Sequence, residues 1–129
     1  MYIRKLSLLD FGMGILSGLH LRGVTTLDER ELVKLHESFA EAFWVVEKLM
    51  GEEKLKFSII LHQIHRTSGG VDAILNYWLS VWVTKDSPGT ILRFRLTDYT
   101  ASRYLSRLPG GEEVFLPAAD AFLKRYQRC

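Results

Sequence analysis

From Ile91 to Thr97 the chain alternates: Leu92, Phe94 and Leu96 fall on one side, and Ile91, Arg93, Arg95 and Thr97 on the other. Side chains of a strand point to its two faces in turn, so this pattern predicts a half-buried strand. Upstream, Leu75, Tyr77, Leu79, Val81 and Val83 share one parity, and Ile74, Asn76, Trp78, Ser80, Trp82 and Thr84 the other. Both sets are rather apolar, as a central strand's would be. Asp86-Ser87-Pro88-Gly89 supplies turn formers between the two. Earlier still, Phe57, Ile59 and Leu61 form an apolar set opposite Ser58, Ile60, His62, Ile64 and Arg66. Lys56 to Asp98 therefore reads as a three-stranded antiparallel meander with one ordinary core face. Its second face would gather His62, Arg66, Trp78, Trp82, Arg93 and Arg95. One competing pattern stands beside this: Val71, Ile74, Leu75, Trp78, Leu79 and Trp82 also fit a helical stripe. The density of Trp, Tyr and Val favours strand over residues 72–83, and a helix there would dissolve the Trp and Arg face.

Residues 2–9 and 15–22 predict a hairpin around a turn at Asp10-Phe11-Gly12-Met13-Gly14, with Gly18 weakening its second strand. Thr26 and Glu29 match the capping-box spacing, and Asp28, Glu29 and Glu31 suit the positive end of a helix dipole. A long amphipathic helix is predicted from Leu27 to Met50, about 36 Å in length, stopping at Gly51. Its inward set is Leu32, Leu35, Phe39, Phe43, Val46, Leu49 and Met50, with Arg30, Lys34, Glu37, Glu41 and Lys48 outward. After the meander, Thr97 or Asp98 opens a short helix, Tyr99 to Leu108, closed by Pro109-Gly110-Gly111. Glu112 to Leu116 reads as extended, and Pro117 starts a last helix to about Gln127. The expected fold is a single α+β domain over residues 1–129 with the order ββαβββαα: an antiparallel sheet of about five strands, one long helix across one face, and two short C-terminal helices.

Composition narrows the class. The chain has 129 residues, 47% hydrophobic and 25% charged, ordinary values for a globular protein able to bury a core without staples. A net charge of +2 permits an acidic partner but falls well short of a dedicated electrostatic nucleic-acid binder. No run approaches a membrane span, and the N-terminal stretch does not fit a signal peptide, so an intracellular, cytoplasmic protein without a membrane partner is expected. The single cysteine, Cys129, allows no internal disulfide and no thiolate metal cage. Asn76 is the only asparagine, and Gln63 and Gln127 the only glutamines. Scarcity of thermolabile amides points to a thermophilic source, cellular or viral.

Candidate chemistry is sparse. His62 and His65 lie three apart and would point to opposite faces of a strand, so one ion could not take both. Glu37 and Glu41, one helical turn apart beside Lys34 and Lys48, read as a solvated helix face rather than a catalytic pair. His36, at the margin of the apolar stripe, reads as a satisfied half-buried residue. Asp10-Phe11-Gly12 matches the kinase magnesium-binding triplet, yet the Gly-rich loop, strand lysine and catalytic loop that give it meaning are absent, as are all nucleophile and phosphate-loop motifs. No catalytic residue, metal or cofactor is assigned.

The Trp78, Trp82, Arg93 and Arg95 face, with His62 and Arg66, carries the functional expectation. Interfaces enrich Trp and Arg, so the first reading is a non-enzymatic binding or assembly protein that self-associates as a homo-oligomer through this face. The second is single-stranded nucleic-acid binding, because aromatic platforms stack bases while arginines contact phosphates; against it, the RNP consensus is absent. Small-ligand binding or catalysis in a pocket between helix and sheet is the third.

Overall fold

Leu8–Leu21 forms a helix, α1, where the pattern predicts a hairpin. Ser7 caps it, its Oγ accepting the Asp10 backbone N–H at 3.2 Å. Every residue from Phe11 to Leu19 is buried, which is how a helix apolar on all sides satisfies itself. The glycines that suggest a turn instead admit neighbours. A Cβ on Gly14 would lie 2.3 Å from the Phe115 ring, and one on Gly12 would lie 2.7 Å from Ile74. Each glycine lowers intrinsic helix stability by roughly 1 kcal/mol relative to alanine, and packing on all sides outweighs that preference.

The computed structural model describes residues 5–86 and 90–127. Within them the sequence of elements is α1, β1 (Thr26–Asp28), α2 (Leu32–Met50), a short 3-10 turn, α3 (Gly69–Val81), β2 (Val83–Lys85), β3 (Ile91–Phe94), α4 (Asp98–Arg107) and α5 (Gly111–Tyr126). The protein is thus mostly helical, with a sheet of three short strands in the order β1-β3-β2, both pairs antiparallel. This replaces the expected five-stranded sheet with its one long helix and two short C-terminal ones.

The capping box does not form. Thr26 belongs to β1, paired with Arg93, and the Glu29 N–H donates to the Thr90 carbonyl at 2.9 Å. The ladder with β3 takes these residues before a helix can, so α2 begins at Leu32 without a side-chain cap. It ends at Gly51, whose φ of 95° suits glycine, as expected. Leu35, Phe39, Phe43 and Val46 face inward as predicted, but Leu32 and Leu49 are 45% and 51% exposed. The inner face of α2 lies mainly on α5, where Phe39 meets Phe122 edge to face at 5.0 Å.

The middle strand is the main correction. Ser68 caps α3 by accepting the Gly70 N–H at 3.2 Å, and Val71, Ile74, Leu75 and Trp78 are buried at helical spacing. Strand propensity loses because this stripe fits α1 at Gly12. Only Val83–Lys85 remains as β2, with Val83 opposite Phe94. β3 keeps its predicted parity, Leu92, Phe94 and Leu96 buried and Arg93 and Arg95 exposed. Of the predicted turn, Ser87, Pro88 and Gly89 lie outside the described residues. α4 follows its prediction closely, with Thr97 Oγ1 accepting the Thr100 N–H at 3.1 Å. α5 starts earlier than expected, absorbing Glu112–Leu116 and holding Pro117 inside the helix, because Val114 and Phe115 are needed in the core. Buried side chains from all these elements make one continuous apolar cluster.

Candidate functional site

The predicted Trp and Arg face is not assembled. Once Gly69–Val81 is helical, Trp78 turns inward: it is fully buried, and its indole N–H donates to the Gly12 carbonyl at 3.1 Å. Trp82 caps the C-terminal end of α3, half-buried against Tyr104. Arg93 is exposed on β3 and paired with Asp86 at 2.7 Å. Arg95 is exposed, its backbone N–H donating to the Trp82 carbonyl at 2.8 Å. His62 and Arg66 lie elsewhere, in a tight turn closed by His62 N–H to the Thr67 carbonyl at 2.7 Å and Arg66 N–H to the His62 carbonyl at 2.8 Å. Arg66 takes a left-handed conformation, φ 57°.

In that turn His62 Nδ1 accepts the N–H groups of Ile64 and His65, both at 3.2 Å, and the two imidazoles stack 4.7 Å apart. His62 is thereby a turn-stabilising residue. Arg66 reaches Glu37 at 3.2 Å, and Arg125 of α5 reaches the same carboxylate oxygen at 2.7 Å. Burial acts to raise the Glu37 pKa, yet the two guanidinium groups outweigh it and hold the carboxyl below its usual range. Glu37 is a cross-brace among α2, α5 and the turn, not a freely solvated residue. His36 is fully buried. Its Nδ1 accepts the Ser68 N–H at 2.9 Å, while Nε2 sits 3.3 Å from an Asp72 carboxylate oxygen but outside hydrogen-bond geometry. Burial pushes its pKa down, opposed by Asp72.

Two surfaces among the described residues carry groups that the fold does not use. The first is the segment Phe57–Leu61. Burial alternates along it, Phe57, Ile59 and Leu61 inward and Ser58 and Ile60 outward, as the parity of the sequence predicts for a strand. No strand pairs with it: among the described residues, none of its backbone N–H or carbonyl groups is hydrogen-bonded. The preceding Leu55 makes one isolated parallel bridge to Leu6, and pairing stops there. Beside the segment lies a groove of about 300 Å³ lined by Trp44, Ile59, Ile60, Leu61 and Arg66. Trp44 is 51% exposed, Ile60 75% and Ile64 80%. On α2, Glu41 precedes Trp44 by three residues and Lys48 follows it by four, neither ion-paired among the described residues.

The second is a cleft of about 290 Å³ lined by Trp82, Tyr99, Thr100, Arg103, Tyr104 and Arg107. Helical spacing aligns Tyr99, Arg103 and Arg107 along α4, and Arg103 donates to the Tyr99 hydroxyl at 3.2 Å. Tyr104 stands edge-on to Trp82 at 5.5 Å. Burial first, and Tyr77 second, raise the Tyr104 pKa; the Trp82 N–H and Arg107 draw it back. That indole N–H is itself buried and makes no hydrogen bond of good geometry, although it lies near enough to the Tyr104 hydroxyl to influence it.

Among the described residues no group of three or more His, Cys, Asp or Glu could hold a metal ion, and no helix is long and apolar enough to cross a membrane. No protein-family model, curated protein or solved structure matches the chain. Arg103 and Arg107 carry no motif in the sequence and read there only as polar positions of the helix from Tyr99 to Leu108. Tyr99 four residues before Arg103 was the available signal. Trp44 gives no signal in the sequence, because it falls between the inward Phe43 and the outward Lys48.

Proposed function

We propose that this chain is a non-enzymatic assembly protein that pairs with a second copy of itself through the open edge at Phe57–Leu61 and the adjoining Trp44. The observation that carries this reading is the strand-like segment without a ladder. Unpaired backbone donors and acceptors on an extended apolar segment are a template for another strand. Large exposed apolar side chains grouped beside such an edge mark interaction sites rather than ordinary surface.

A second copy is the occupant that the charges favour. Glu41 and Lys48 flank Trp44 on the same helix, so a twofold axis near Trp44 sets each carboxylate toward the partner's ammonium. An antiparallel strand pair is itself twofold, centred on Ile59 with Phe57 facing Leu61 and Ser58 facing Ile60. Trp44 and Ile60 line one groove, so one axis serves both contacts, as an isologous interface requires. Sedimentation equilibrium tests the reading. The wild-type chain should approach twice its 14.8 kDa mass with rising concentration, and Trp44→Glu and Ile60→Lys should each return it to the single-chain mass. A wild-type protein that stays at one chain mass at every concentration would exclude it.

A further inference from the structure

We infer that the cleft on α4 is a separate binding site for a nucleoside phosphate, either a free mononucleotide or one unit of a single strand. Its lining supplies complementary parts of such a ligand. Arg103 and Arg107 extend from successive turns of α4, and among the described residues no carboxylate lies within 4 Å of either. Of the other described arginines, Arg22, Arg30, Arg66, Arg93 and Arg125 each have an acidic partner and Arg95 has none. Two guanidinium groups left one turn apart without counter-charge suit the oxygens of a phosphate, which they can grip bidentately.

The rest of the lining is aromatic. Tyr99, 71% exposed, is held at the cleft by the Arg103 hydrogen bond and offers a ring for a planar base. Trp82 and Tyr104, locked edge to face, form the floor. Of these groups the Trp82 indole N–H is the one buried donor left without a partner of good geometry. It is out of solvent beside the Tyr104 hydroxyl, so it belongs to the floor of the cleft and not to the ligand's contacts. At about 290 Å³ the cleft is at the small end of ligand sites. It suits one base with its phosphate, and a longer strand would run on across the solvent. The site requires neither the open edge at Phe57–Leu61 nor a second copy of the chain.

Fluorescence anisotropy with a labelled twelve-residue oligo(dT), followed by competition with AMP, tests this. Arg103→Gln with Arg107→Gln should weaken oligo(dT) binding at least tenfold at low salt and remove about 0.7 from the log–log salt slope, the share of one neutralised phosphate on a single strand. Tyr99→Ala, at an exposed position that leaves the core intact, should weaken it about 5- to 150-fold through lost stacking. If AMP displaces the oligonucleotide, the site takes the mononucleotide; if oligo(dT) binds and AMP at high excess does not compete, it takes the strand. The inference is overturned if the wild-type chain binds neither probe, or if the arginine pair and Tyr99 variants bind as the wild type does.

Discussion

His36 on α2 holds the start of α3: its Nδ1 accepts the Ser68 backbone N–H at 2.9 Å with the imidazole wholly buried. A ring that accepts through Nδ1 must be neutral, with its proton on Nε2. Burial lowers its pKa in the folded state below the ordinary 6.5, and the partial opposition from Asp72 does not reverse this. The unfolded chain therefore binds the proton more readily. Stability from this group is fully present above the unfolded pKa and is lost as pH falls below it toward the folded value. Urea midpoints taken from roughly pH 7 to 5 should fall for the wild type, and fall less steeply for His36→Gln, which keeps an acceptor but cannot titrate. Parallel slopes would show that His36 is not the group responsible.

Gly14 and Phe115 make a second test, of why α1 forms at all. Alanine in place of an interior helical glycine gains about 1 kcal/mol of intrinsic helix stability. Here the new methyl would meet three atoms of an aromatic ring at 2.3 to 2.6 Å, and overpacking of a rigid core costs about 1–3 kcal/mol. The clash should win, so Gly14→Ala is expected to be destabilising by up to about 2 kcal/mol in chemical denaturation. Paired with Phe115→Leu, the two changes should be strongly non-additive. A neutral or stabilised Gly14→Ala would mean that α5 does not approach α1 this closely.

These two residues show what was legible and what was not. Glycine at positions 12, 14 and 18 has the same local signature whether the chain turns or two helices approach closely, and only Phe115, Ile74 and Ala119, far away in sequence, decide between them. Val71 to Trp82 satisfied both a strand and a helix pattern, and the fit of Ile74 to α1 decided that case too. Where one face meets solvent and the other the core, local pattern was enough: β3 kept its parity, α4 its cap at Thr97, and α2 most of its stripe and its stop at Gly51. The parity of Phe57, Ile59 and Leu61 was also right. What it could not convey is the lack of a neighbouring strand, because pairing is a property of the whole fold.

Tyr126 joins the last helix to the sheet. Its hydroxyl accepts the Asp28 N–H at 2.7 Å and lies 3.3 Å from the Asp28 carbonyl. Tyr126→Phe would leave a part-buried N–H at the end of β1 unsatisfied, a loss of about 1–2 kcal/mol. A lowered urea midpoint with an unchanged denaturant slope is the expected result. An unaltered midpoint would show that water replaces the hydroxyl without cost.

The charge pattern around Trp44 makes a prediction that general stickiness does not. Lys48→Glu should weaken dimerisation by setting two carboxylates against each other at both symmetry-related contacts, by about 1–2 kcal/mol or roughly 5- to 30-fold in Kd. Adding Glu41→Lys should restore it by exchanging the signs. If the double variant is weaker than the single one, the twofold arrangement is wrong.

If Phe57–Leu61 is an unfilled edge completed by a second copy, amide hydrogen exchange at those residues must report the pairing. In dilute protein the backbone N–H groups of this segment should exchange fast, since among the described residues none is hydrogen-bonded. With rising concentration, N–H groups of this segment on the edge that faces the partner should become protected in step with the mass, while those of Trp44→Glu stay fast. Exchange that remains fast at every concentration, or slow already in the dilute monomer, would contradict the account.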